Sequence, residues 1–305
     1  MKEMNWPLVS VIAVNYRNAA VTCDMLDTLR RAGYPALEVF LVDNGAEQDQ
    51  GALFESRYPG LVYIRSAANL GFAGGNNLAI PKAGGKYILL LNNDTIVSPG
   101  FLEPMALYME QHASVGIASP RIYYYGQPDV LQYAGFSTVS RFTGRGRNLA
   151  RREAGGGRFA RSGPTGLAHG ACMLVRREVI EQVGLLAECY FMYYEEIDFC
   201  ERARRQGWEI HLAAGSSIYH RESASMGRNS PRKTYYLFRN RWLFMRLCQP
   251  GWAYYLFLAY FLLIAAPCHV LKHWMRQEKE HARAILQSLS WNIRNYQKKY
   301  HENYV

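Results

Sequence analysis

Short apolar runs that end in polar tips recur along the first 120 positions. Residues 87–97, YILLLNNDTIV, hold four consecutive apolar residues after the Gly84-Gly85 pair. That run is too short for a helix and predicts a parallel strand buried on both faces, with Asn92, Asn93 and Asp94 at its carboxyl end. Residues 8–14 (LVSVIAV) predict a similar strand ending at Asn15-Tyr16. Residues 19–31 read as a helix with Val21, Met25, Leu26 and Leu29 on one face and Gly33 as its stop. Strands at 38–42 and 61–64 follow, the first closing on Asp43-Asn44-Gly45, the second leading into NLGFAGGNN (69–77) and a helix to about Lys82. A helix over 99–111 and a strand over 115–118 complete the series. This alternation predicts a doubly wound α/β sheet that takes ligands beyond its strand ends. Further on, residues 165–175 return to a strand beginning near His169-Gly170, residues 191–205 set several acids at a helix start, and residues 217–220 form a short strand ending in His220.

Composition changes this picture in two places. Residues 140–163 carry seven arginines (including Arg145, Arg147, Arg151, Arg152 and Arg158), six glycines and one acid. Such a segment cannot bury a core of its own and is expected as a mobile loop over the site, gripping a pyrophosphate-linked acceptor or a leaving diphosphate; a solvated basic insertion is the other reading. The net charge of +10 calls for an anionic partner, but only Phe142 and Phe159 interleave with these arginines, which argues against nucleic acid. Residues 247–271 contain no Asp, Glu, Lys or Arg over 25 positions. Pro250, Gly251 and Pro267 interrupt that stretch, and the tail from 272 carries seven Lys/Arg against three acids. A monotopic or re-entrant membrane anchor with a cytoplasmic tail is expected, with a soluble core helix as the alternative. The domain expectation is a catalytic unit over 1–235, divided at 120 into nucleotide and acceptor halves, and a helical membrane-association region over 236–305. Six scattered cysteines without a C-x-x-C pair suit reduced thiols in the cytoplasm, and residues 1–7 lack signal-peptide character.

The candidate chemistry gathers at the strand ends. Asp94 could hold a divalent ion, since magnesium or manganese on a diphosphate uses one or two protein carboxylates; an Asx turn helped by Thr95 and Ser98 accounts for the same residues. No G-x-G-x-x-G follows the first strand and no Walker lysine is present, which excludes the common dinucleotide and P-loop sites. Glu195 and Glu196 follow three aromatic residues, where burial would raise a carboxyl pKa toward general-base use, whereas Asp198 and Glu201 suit the helix dipole.

Taken in order, VSVIAVNYRN, FLVDNG, NLGFAGGNN, LLLNNDT, HGACMLVRR and FMYYEEIDFCERARRQGWEI resemble the motifs of glycosyltransferase family 2, in particular its rhamnosyltransferase-type bacterial members, over about residues 9–240. The resemblance implies the type A nucleotide-sugar transferase fold and inverting transfer. It implies that Tyr16 and Asp43 hold the base of a nucleotide-diphosphate sugar, with Asn76 near its ribose or diphosphate and Val14, Gly71, Phe72, Asn92 and Asn93 in the same donor site. Asp94 and His220 would contact a magnesium or manganese ion, Glu196 would act as base, and His169, Gly170 and Glu195 would face the acceptor. Two positions depart from the pattern: Asn92 replaces the first acid of an Asp-x-Asp motif, and Glu195-Glu196 replaces Glu-Asp, which makes the base one methylene longer. The activity implied is transfer of L-rhamnose from dTDP-L-rhamnose to a lipid-linked or oligosaccharide acceptor at the cytoplasmic face of a bacterial membrane. The alternatives are a nucleotidyltransferase making an activated sugar and a non-catalytic membrane-bound binding protein.

Overall fold

Side chains alternate across each central strand and feed two separate cores. Val9, Val11 and Ala13 face one and Ile12 the other; in the same way Tyr87, Leu89 and Leu91 oppose Ile88 and Leu90. The computed structural model describes residues 5–150, 152–154, 157–221, 229–249, 251–298 and 300, without the Arg158 side chain, so Arg151 and Pro250 lie outside the described residues. Its first part runs β1 (Val9–Asn15), α1 (Ala19–Ala32), β2 (Leu37–Asn44), α2 (Gly51–Arg57), β3 (Val62–Ser66), α3 (Gly71–Ala79), β4 (Tyr87–Leu91), β5 (Thr95–Val97), α4 (Leu102–Gln111) and β6 (Val115–Tyr124). Then come β7 (Gln127–Tyr133), β8 (Gly163–Pro164), β9 (Cys172–Arg176), α5 (Arg177–Val183), α6 (Glu195–Arg205) and β10 (Glu209–His220). Four helices close the chain: α7 (Pro231–Cys248), α8 (Trp252–Tyr260), α9 (Ala266–Met275) and α10 (Lys279–Arg294).

The sheet order is β3-β2-β1-β4-β9-β6-β10-β5, with β7 on β6 and β8 on β10. Helices α1 and α4 cover one face, and α3, α5 and α6 the other. The first four strands in this order are parallel, as the alternation predicts. Strand β4 is buried throughout, but its second neighbour β9 is antiparallel, so the sheet is mixed and the halves divided at 120 share it. Five strands exceed or escape the sequence reading: β5, β7 and β8 carry no clear alternation, β6 is 10 residues long rather than four, and β10 is 12 rather than four. Residues 165–171 are not strand; only Cys172–Arg176 pairs.

The basic segment differs from expectation. Backbone bonds tie it to its surroundings: Ser137 N donates to Arg147 O at 2.9 Å, Leu149 N to Gly135 O at 3.0 Å and Arg152 N to Leu131 O at 2.9 Å. Ala150 is fully buried, and Thr143 O accepts from Arg241 Nε at 2.6 Å. A chain whose polar backbone is satisfied by neighbours does not need a large apolar core of its own.

The closing helices share a core with the 187–194 segment and α6 rather than standing apart, and the boundary expected at 235 falls inside α7. Helix α10 runs beside α7 in the same direction: Thr234 meets His281, Arg239 O accepts from Asn292, and Arg246 reaches Asn295 and Tyr296. The continuous helical stretch Trp252–Met275 runs oppositely, with Tyr254 bonded to Trp242 and Phe261 against Phe238. Its inner face (Phe257, Phe261, Ala265) is buried, while Trp252 (69%), Leu263 (76%) and Met275 (69%) stand exposed on the outer one. A chain ending at Arg246 would uncover Phe238, Trp242 and Phe244, each burial being worth about 1.5–3 kcal/mol. It is expected to melt far below the full chain or to aggregate in a thermal scan; a folded 1–246 chain of unchanged melting temperature would make the last helices an appendage.

Candidate active site

A cavity of about 330 Å3 opens where the carboxyl ends of β1, β2 and β4 meet the start of β9 and the end of β10. Val14, Tyr16, Asn44, Asn69, Gly71 and Phe72 line one part of it, Asn92, Asn93, Asp94, Gln132, His169, Gly170, Ala171 and His220 its strand ends, and Met192, Tyr193, Glu195, Glu196, Arg232 and Lys233 the rest. Of the residues singled out from sequence, two do not reach it. Asp43 is wholly buried and spends both oxygens on the framework, accepting from Asn15 Nδ2 and from the Tyr63 hydroxyl, each at 2.8 Å. Asn76 donates to Phe72 O at 2.8 Å inside α3. Asn44 and Asn69, one residue after Asp43 and at the head of NLGFAGGNN, line the wall instead. None of the described residues of 140–163 borders the cavity; its cations are Arg232 and Lys233.

The tip of β4 forms the turn that the sequence allows, closed by Thr95. Thr95 closes a turn through its N–H (3.3 Å) and hydroxyl (2.8 Å) on Asn92 O, and Asn93 donates to Thr22 Oγ1 at 2.9 Å. The turn leaves the Asp94 carboxylate free of it. Strand β5 then pairs antiparallel with β10, setting His220 opposite Thr95, and Arg221 N donates to Asp94 O at 2.9 Å. This register brings His220 Nε2 to 3.0 Å from Asp94 Oδ1, an oxygen that is buried and has no well-aligned hydrogen bond. On its other side His220 Nδ1 lies 2.9 Å from Gln132 Oε1, a contact that orients the ring with Nε2 toward Asp94. A carboxylate oxygen and an imidazole nitrogen facing each other across 3.0 Å suit a shared cation. Among the described residues no cluster of three or more His, Cys, Asp or Glu offers a fuller ligand set. His169 lies edge-on to His220 with centroids 6.0 Å apart. Burial, then the His220 charge, push its pKa down to about 3, so it is neutral; its Nδ1 accepts from Ala171 N at 3.1 Å, leaving an Nε2–H donor.

Glu195 and Glu196 open α6 after a backbone path that aromatic residues rarely take: Phe191, Tyr193 and Tyr194 have φ of 65°, 62° and 80°. Each such residue costs roughly 1–3 kcal/mol, so the path needs external support. Helix α7 supplies it. The Asn240 side-chain nitrogen lies 3.0, 2.7 and 2.8 Å from the carbonyls of Tyr190, Met192 and Tyr193, and Arg239 Nη2 donates to Cys189 O and Tyr190 O at 2.9 and 2.6 Å. From the opposite side Phe72 N donates to Phe191 O at 2.9 Å, next to Gly71, whose φ is 74° and whose missing Cβ would lie 2.1 Å from that oxygen. The glycines of NLGFAGGNN therefore serve close packing. Burial raises the pKa of both glutamates, and for Glu195 the Glu196 charge adds to it; backbone N–H groups at the start of α6 oppose the rise without cancelling it. Asp198, by contrast, is a framework group held by Arg202 at 2.7 Å and Tyr190 at 3.2 Å.

Fold and cavity together define a nucleotide-sugar transferase of the type A architecture. The chain belongs to glycosyltransferase family 2: the profile described as Glycosyl transferase family 2 matches residues 10–184. It is 30% identical over 243 residues to a low-salt glycan biosynthesis hexosyltransferase of Haloferax volcanii, covering 77% of this chain and 74% of that protein. It is 24% identical over 271 residues to an N-acetylglucosaminyl-diphospho-decaprenol L-rhamnosyltransferase of Mycobacterium tuberculosis, covering 80% and 86%. Two solved structures share the fold at low identity. A mannosyltransferase from Pyrobaculum calidifontis in complex with GDP-Man and Mn2+ has a TM-score of 0.56 at 15% identity, covering 97% of this chain and 89% of its own. S. aureus TarS in complex with UDP-GlcNAc has a TM-score of 0.60 at 17%, covering 92% and 80%.

Asn240→Leu removes the amide and strands the Met192 and Tyr193 carbonyls, each unpaired group costing about 1–3 kcal/mol, while Tyr190 O keeps its bond from Arg239. The expected outcome is a lower melting temperature and a loss of kcat on the order of 100-fold. Gly71→Ala should do the same through the clash with Phe191 O. If either variant keeps wild-type kcat, the loop holds its geometry without that contact.

Proposed function

We propose that the chain is a metal-dependent inverting glycosyltransferase that moves L-rhamnose from dTDP-L-rhamnose to a lipid-linked saccharide. The observation that carries the reading is the meeting, in one cavity, of a buried glutamate pair with raised pKa and the Asp94–His220 pair. Glu196, beside Gly170 and Phe72, removes the proton from an acceptor hydroxyl as that oxygen attacks the anomeric carbon. The sugar–phosphate bond breaks on the far side in the same step, so configuration inverts. Asp94 and His220 would hold a magnesium or manganese ion together with diphosphate oxygens and water; such an ion supplies charge neutralisation to the departing diphosphate. His169 offers its neutral N–H to the sugar or the acceptor. Val14, Tyr16, Asn44, Asn69, Gly71, Phe72, Asn92 and Asn93 form the donor wall. Rhamnose and the lipid-linked acceptor are supported by the mycobacterial relative's name, and the metal by the Mn2+ in the mannosyltransferase structure. Membrane association, at the cytoplasmic face, is supported by the helical stretch Trp252–Met275, whose length and composition would allow it to cross a bilayer but whose inner face is packed on α7, as suits an in-plane contact.

A panel of nucleotide sugars assayed for nucleoside diphosphate release, with a membrane extract as acceptor, tests the reading; no release from dTDP-L-rhamnose would remove the donor assignment. Glu196→Gln should lower kcat by on the order of 1,000-fold with donor affinity nearly unchanged, and Glu195→Gln by less. Asp94→Ala should abolish the manganese dependence of donor affinity in calorimetry. The glutamates also fix a pH dependence. Their folded pKa values lie above the unfolded one, so the folded state binds protons more tightly, and stability falls as pH rises from the ordinary carboxylate range toward the raised values. Glu195→Gln should therefore melt with the wild type at low pH and above it at neutral pH. A gap that does not grow across that window would show that Glu195 is not held protonated by its surroundings.

A further inference from the structure

Two cations stand at the cavity in a place where neither the sequence motifs nor the basic 140–163 segment put them. Arg232 and Lys233 occupy the first turn of α7, after the Ser230 cap. Neither forms an ion pair with a described residue; both are steered by rings instead. The Arg232 guanidinium lies 5.7 Å from the Phe191 ring and 6.0 Å from the Tyr236 ring, and Lys233 Nζ lies 5.8 Å from the Tyr193 ring. Phe191 and Tyr193 belong to the path that leads into Glu195 and Glu196, so the cations border the part of the cavity where the acceptor hydroxyl meets its base. The donor diphosphate has its own partners at Asp94 and His220, on the strand ends.

From the next residue a set of polar contacts leads across to the exposed end of α9. Thr234 Oγ1 lies 2.8 Å from His281 Nδ1, and the His281 ring stacks on His273 at 4.9 Å. His273 precedes Trp274 and Met275, which are 62% and 69% exposed, and Leu271 is open beside them. From base to cations to open apolar helix end, the surface matches a molecule with a sugar, a doubly charged diphosphate and a hydrocarbon chain in that order. Two cations balance that charge, and a guanidinium can grip phosphate oxygens in pairs.

Resting on the lipid-linked acceptor reading above, we propose that Arg232 and Lys233 bind the acceptor's diphosphate and that its hydrocarbon chain leaves along the exposed end of α9. The test uses the full chain saturated with manganese and whichever of dTDP, UDP or GDP it binds, titrated calorimetrically with farnesyl diphosphate, farnesol and inorganic pyrophosphate. Farnesyl diphosphate should bind at least tenfold tighter than either of the others. The double variant Arg232→Ala/Lys233→Ala should lose at least tenfold for it, with the affinity for the nucleotide and the melting temperature unchanged. Arg232→Lys/Lys233→Arg should recover most of the loss. If the double variant weakens the nucleotide instead, the cations serve the donor and the proposal is wrong. Equal affinity for pyrophosphate and farnesyl diphosphate overturns the hydrocarbon path, and unchanged binding of all three ligands overturns the site. The acceptor reading is tested apart from this: a chain that binds farnesyl diphosphate through these side chains yet transfers nothing to a prenyl-diphosphate-linked saccharide keeps the site and loses that reading, and transfer with an indifferent double variant does the reverse.

Discussion

The geometry of the site depends on one amide. Asn240 is fully buried, and its side-chain nitrogen faces three carbonyls of the loop, while Arg239 shares the Tyr190 carbonyl and adds that of Cys189. Three aromatic residues at positive φ cost together some 3–9 kcal/mol, and hydrogen bonds return about 1 kcal/mol each, or up to 3 when the donor is charged. The two sums are of the same size, so the loop keeps its shape only with the clamp in place. What the strain achieves is position. It delivers two adjacent carboxyl groups to a helix start at the cavity, where a relaxed chain would turn them elsewhere.

At that helix start two electrostatic effects compete. Backbone N–H groups favour a carboxylate, and burial disfavours it. Burial wins for both glutamates, and their closeness makes them titrate as a pair, the charge of one raising the other. At the strand ends of the same cavity the balance is struck differently: Asp94 sits against His220, whose ring is oriented by Gln132. One cavity thus holds a buried carboxyl pair with raised pKa and an acid–imidazole pair, each set by its own surroundings.

Much of this was legible in the chain. The parallel strands and the polar tips at Asn15, Asn44 and Asp94 follow from apolar runs that stop abruptly, because strands buried on both faces leave no alternation to misread. Gly71, Phe72, Asn92, Asn93, Asp94, His169, Gly170, Glu195, Glu196 and His220 do come together around one cavity. Asp43 faces Asn15 and Tyr63 while Asn44 reaches the cavity wall, because successive side chains along a strand point to opposite faces. Gln132 was invisible because β7 has no periodic signal and its pairing with β6 is irregular. Arg232 and Lys233 were overlooked for a different reason. A dense run of arginines nearby in sequence drew the charge argument, but placement is decided by which backbone groups the run satisfies, and those lie on β7 and α7.

Helix α7 also shows why the closing segment is not a detachable anchor. Successive helical residues point about 100° apart, so three consecutive ones cover most of the circumference. Arg239, Asn240 and Arg241 are all buried, and each finds a different neighbour: the 189–190 carbonyls, the 190–193 carbonyls, and Thr143 O together with the Phe261 ring. A helix buried on every side belongs to a core. Polar groups there are held only where partners wait for them, and the partners come from the glutamate loop, the basic segment and α8–α10. The apolar stretch that reads as a membrane segment is therefore also an outer wall of this core, with one face committed to α7 and the other exposed.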